Sequence, residues 1–92
     1  MKIDYALEPI PALELRNAIK MLHPTLGVVI TRNLIEEIEN LGIHLADENE
    51  NYFVHEIREA LDIIFGIHAA EIVMKAIIKS LRANNKSSYR IA

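Results

Sequence analysis

The 92-residue sequence predicts an all-α fold, a four-helix bundle-like single domain that ends in a helical hairpin. Three observations lead there. Apolar residues recur at helical spacing in four stretches, Gly or Pro residues punctuate those stretches, and Cys is absent, so neither a disulfide framework nor a thiolate metal site staples the chain. A single domain of this length buries only somewhat over ~60% of its extended-chain surface. With a hydrophobic fraction of 51% and a small core, oligomerisation is the expected further source of stability.

The first helix is expected from Pro11 to Leu22. Leu15, Ala18, Ile19 and Leu22 follow i, i+3, i+4, i+7, Pro11 suits a first turn, and Pro24 stops the helix. Residues 24–30 read as irregular, because Val28, Val29 and Ile30 are β-branched after a Gly and fit extended chain or the opening turns of the next helix. The second helix is expected after Thr31 as its cap, with Leu34, Ile35, Ile38 and Leu41 on one stripe. Gly42 then ends it, and Ile43 returns to Ile38 in a Schellman contact.

The third helix is expected over 48 to 65, opened by Asp47 and Glu50 at capping-box spacing. Its apolar face holds Phe53, Ile57, Ala60, Leu61 and Ile64; its polar face holds His55, Arg58, Glu59 and Asp62. A single helix running on through Gly66 would have apolar faces about 160° apart before and after the glycine, so a break with Ile67 folding back toward Leu61 is expected. A continuous helix is compatible only with two chains swapping halves around Gly66.

The fourth helix, 68 to 82, carries a narrow polar stripe of His68, Glu71, Lys75, Lys79 and Arg82, and nearly everything else on it is apolar. Such a helix must be covered on most sides, either at the centre of the domain or between protomers. With so few elements, the second is expected, and Ile72, Met74, Ile78 and Leu81 are the candidate interface; the alternative cover for them is the first helix or the 27–30 segment. Residues 1–83 then form the folded domain and 84–92 a flexible basic tail.

Charge is unevenly spread. Residues 1–71 hold all thirteen acids and five bases, whereas 72–92 hold five bases and no acid. Lys75, Lys79, Arg82, Lys86 and Arg90 are therefore candidate anion contacts, the footprint of a small nucleic-acid-binding regulator. The same cations also complement the dipole near a helix C-terminus. The opening residues contain Asp4 and Glu8 and no unbroken apolar core of a signal sequence, and no apolar run reaches the roughly 18 residues of a membrane span, so a cytoplasmic location is expected.

Chemistry finds few candidates. His68 with Glu71 and His44 with Asp47 stand at i, i+3, and His55 with Glu59 at i, i+4, but both helical pairs fall on polar faces, where solvated side chains are the plainer reading; no metal or cofactor is expected. Asp47, Asn49 and Asn51 imitate a calcium loop, yet Tyr52 replaces the turn glycine and Arg58 the chelating carboxylate. The sequence lacks a Gly-rich phosphate loop and a Ser-His-acid elbow, so an enzyme is not expected.

The segment "EALDIIFGIHAAEIVMKAI", with its pattern of Leu61, Phe65, Gly66, Ala70 and Ile72, resembles the C-terminal helical hairpins of small archaeal domains of unknown function. That resemblance implies an all-helical module without an assigned activity. The expected function is a non-catalytic protein-interaction or homodimerisation module, with a second copy or a partner protein's helix as its partner.

Overall fold

The computed structural model describes residues 8–91, and their side chains through Ala83. Five helices follow one another: α1 (Ala12–Lys20), α2 (His23–Leu26), α3 (Val28–Asn40), α4 (Val54–Phe65) and α5 (Ile67–Ile91). A two-residue antiparallel ladder, β1 (Ile10–Pro11) with β2 (Asn51–Tyr52), pairs Ile10 with Tyr52 and Pro11 with Asn51. The fold is thus mainly helical, and the ladder is an addition that the periodicity does not predict. Two residues are too short to display the alternation that marks a strand.

α1 buries Ala12, Leu15, Ala18 and Ile19, and Leu22 just beyond it, which is the expected stripe. Its N-terminus is held by the ladder, with the Ala12 N–H donating to the Glu50 carbonyl at 2.9 Å. Pro24 does stop α1, but it also stands in the first turn of α2, where its missing N–H costs nothing.

α3 begins earlier than expected. Val28, Val29 and Ile30 form its first turn rather than irregular chain, and Thr31 lies inside the helix, fully buried, with its hydroxyl donating to the Gly27 carbonyl at 2.7 Å. A Thr that bonds back four residues satisfies its hydroxyl within the helix, so it looks like a cap in sequence without being one. The end of α3 is as expected. Gly42 N–H donates to the Glu39 carbonyl at 3.0 Å and Ile43 N–H to the Ile38 carbonyl at 3.4 Å, and Ile38 and Ile43 are both buried. Leu41 departs from the expected stripe and is exposed.

α4 begins six residues later than the expected start at 48. Asp47 does cap, but it caps a turn: its Oδ1 accepts the Asn49 N–H at 2.9 Å, and the Glu50 N–H donates to the Asp47 carbonyl. The helix itself is opened by Glu56, whose Oε2 accepts the Phe53 N–H at 2.8 Å. This is one half of a capping box, because Phe53 has no side-chain acceptor to complete it. Phe53, placed on the apolar face by periodicity, is therefore a half-exposed entry residue whose ring stacks on His55 at 5.7 Å.

Gly66 breaks the chain between α4 and α5 with φ 86 and ψ 164, a region open essentially to glycine alone. It closes one helix and opens the next: its N–H donates to the Asp62 carbonyl and its carbonyl accepts the Ala70 N–H, both at 2.9 Å. Ile57, Ala60 and Leu61 of α4 and Ala70, Val73, Met74, Ile77 and Leu81 of α5 then enter a single core. Arg58 spans the corner, pairing with Asp62 at 2.9 Å and donating to the Ile67 carbonyl at 3.3 Å. Ile67 does not fold back toward Leu61; it is 66% exposed, because the residue after Gly66 already belongs to α5 and points with its first turn.

α5 lies at the centre of the domain, packed on both α4 and α1. Its cover therefore comes largely from within the chain. The backbone helix continues to Ile91 through the segment read as a tail, whose side chains lie outside the described residues.

Candidate interaction surface

The residues picked out as an interface separate into three environments. Met74 and Leu81 are 4% and 1% exposed and belong to the core, which corrects the expectation that a lone chain leaves Met74 uncovered. The reason is α1, which occupies the side of α5 that a partner was expected to fill. Ile78 is half-buried against the edge of the core. Ile72 alone is open, at 71% exposure.

Helix geometry explains the split. With the buried centre of α5 near Ala70 and Ile77 taken as zero, Met74 and Leu81 fall within about 40° of it, Ile78 at about 80°, and Ile72 at about 200°. Ile72 therefore stands among His68, Lys75 and Lys79 on the face turned away from the core. Around the Gly66 corner two more large side chains are open, Ile63 at 71% and Ile67 at 66%. Periodicity missed both. Ile63 stands outside the expected apolar face of α4, and Ile67 was expected to be a folded-back cap; its position after a chain-breaking glycine was the signal available.

The basic candidates Lys75, Lys79 and Arg82 do share one face, where they line a shallow concavity with Ile78. Lys75 is also tied to Glu71 at 3.4 Å by an exposed i, i+4 pair, of a kind worth only a few tenths of a kcal/mol. Lys86 and Arg90 lie outside the residues whose side chains are described. The three helix and loop histidines stand apart: His44 donates its backbone N–H to the Tyr52 hydroxyl at 2.7 Å, His55 stacks on Phe53, and His68 is exposed on α5. Among the described residues, no group of three or more His, Asp or Glu side chains gathers in a geometry suited to a metal ion. Among them, too, no helix is long and apolar enough to cross a membrane.

No known family model, curated protein or solved structure matches the chain.

Proposed function

We propose that this domain, a bundle-like arrangement of four longer helices with the one-turn α2 as a link, is a non-catalytic interaction module that associates with a second copy of itself through the α4–α5 corner. The observation that supports this is the exposure of Ile63 and Ile67 on either side of the Gly66 junction, which Arg58 also spans, with Ile72 open further along α5, each about two-thirds exposed or more. Single exposed apolar residues are ordinary on a protein surface, but two large β-branched ones flanking one glycine, with a third on the helix that follows, favour a contact. Ile72 is the residue that this reading retains from the four picked out by sequence. Met74 and Leu81 support the contact only by keeping α5 in place.

Light scattering across a concentration series tests the proposal. The wild-type chain is expected to scatter as a dimer at high concentration, and Ile72→Glu combined with Ile67→Glu to scatter as a folded monomer with unchanged helical circular dichroism. A wild-type chain that stays monomeric throughout overturns self-association. The second reading, a nucleic-acid contact through Lys75, Lys79 and Arg82, is favoured by their common face and predicts a complex with DNA that weakens steeply as salt rises. A salt-insensitive response, or none at low salt, removes it.

A further inference from the structure

Three of the five bases in residues 1–71 are Arg16, Lys20 and Arg32, and no acid lies between Glu14 and Glu36. Folding brings these three together. They line a groove of about 360 Å³ between α1 and α3, with His23 beside them and Glu36 and Glu39 also at its wall. Along α3 the positions 32, 36 and 39 share one face, so the groove is positive toward the start of that helix and negative toward its end. Its floor includes the buried Ile35.

The opposite charges in this groove do not close into ion pairs within 4 Å. Among the described residues, the ion pairs within 4 Å are Arg58 with Asp62 and Lys75 with Glu71, both on other faces. Arg16 presents the sharper anomaly. Its Nε is buried, yet it donates to no acceptor. Buried polar groups without partners are rare in native proteins, and this enclosed N–H belongs to a guanidinium that lines the groove beside two further cations with no carboxylate within 4 Å.

We propose that the groove between α1 and α3 binds a phosphate monoester, with the Arg16 and Arg32 guanidinium groups donating to phosphate oxygens and Lys20 adding charge. Phosphate suits it better than a carboxylate. A phosphate presents three terminal acceptor oxygens to donors that come from two helices, whereas a carboxylate presents two in one plane, and the planar guanidinium is the donor best shaped for phosphate. Glu36 and Glu39 set the polarity of the rest of the molecule. A second anionic group is repelled there, and hydroxyl or cationic donors are accepted, so a monophosphate bearing hydroxyls is selected over a pyrophosphate. The phosphate is supplied either by a soluble ester or by a lipid headgroup.

The test follows the side-chain Nε–Hε resonances of the arginines by NMR while the full chain is titrated with glycerol 3-phosphate, with pyrophosphate, and with sodium chloride at matched ionic strength. A saturable shift at Arg16 is expected with glycerol 3-phosphate and not with chloride. Arg16→Gln and the exposed Arg32→Gln are each expected to weaken binding by about tenfold, the loss of one charge-assisted hydrogen bond, while Glu48→Gln in the loop between α3 and α4 leaves it unchanged. Sedimentation with phosphatidylcholine vesicles, with and without phosphatidic acid, separates the sources: Arg32-dependent sedimentation only with phosphatidic acid assigns a lipid headgroup, and its absence beside tight soluble binding assigns a free ester. A chloride response equal to the phosphate response overturns the proposal. So does an Arg16 resonance that is silent to phosphate but moves in Glu36→Gln or Glu39→Gln, because the groove is then satisfied by its own carboxylates.

Discussion

The tripeptide Gly-Ile-His occurs twice, at 42–44 and at 66–68, each time at the C-terminal end of a helix. The two copies end up differently. At the first, Ile43 returns over Ile38 and is 8% exposed; at the second, Ile67 continues into a new helix and is 66% exposed. The chain ahead of the glycine is much the same in both, an amphipathic helix closing on a large apolar residue. The chain beyond it is not. After His44 the backbone is caught by the Tyr52 hydroxyl and by the Asp47 turn, which holds it down over the end of α3. After His68 the small pair Ala69-Ala70 and a helical run take over, so the glycine becomes a junction between helices rather than a terminus. A C-terminal signal is thus only half of a helix ending, the other half being whether the next residues have somewhere else to bond.

The strongest way to break this comparison is to truncate both isoleucines. Ile43→Ala is expected to lower stability by about 2–4 kcal/mol, as for other buried large-to-small changes, and Ile67→Ala to stay within about 0.5 kcal/mol. Urea denaturation of the two variants measures the difference directly, and equal losses would remove the distinction. Gly66→Ala comes next, at about 1–3 kcal/mol. A methyl group there would meet nothing within 4 Å, so the whole loss is backbone strain and should appear as a lower urea midpoint with an unchanged slope. The smallest effect sharpens the first copy. Tyr52→Phe removes the acceptor for the His44 N–H and is expected to cost about 1 kcal/mol, with faster hydrogen exchange at His44 as its local sign.

The helical face patterns were largely legible in the sequence. Leu15, Ala18, Ile19 and Leu22 read correctly because four apolar positions at helical spacing on a helix bounded by prolines admit one phase. The beginnings of α3 and α4 were not legible, for a common reason. Thr31 and Asp47 are good caps by residue type, yet one bonds back within its helix and the other closes a turn, and only the path of the neighbouring chain decides between these uses. The position of α5 is not legible for a different reason. Its nearly all-apolar circumference was read correctly, but whether α1 or a second protomer covers it depends on a long-range docking that no local pattern encodes. The charged groove between α1 and α3 escaped notice because Arg16, Lys20 and Arg32 are spread over two helices and form no run.

That long-range docking also bears on synthesis. α1 is made before α5, the helix it packs against, whose buried Leu81 comes about 65 residues after Leu15, and the ladder that fixes its entry needs Tyr52. At about 5–20 residues per second, the apolar stripe of α1 waits roughly 3–13 s for its partner to be translated. During that interval α3 can cap itself and α4 can begin, but no N-terminal fragment can bury Leu15 and Ile19 on α5. The domain is therefore completed from its late end, and the nascent chain is most open to chaperones or to aggregation before α5 is made.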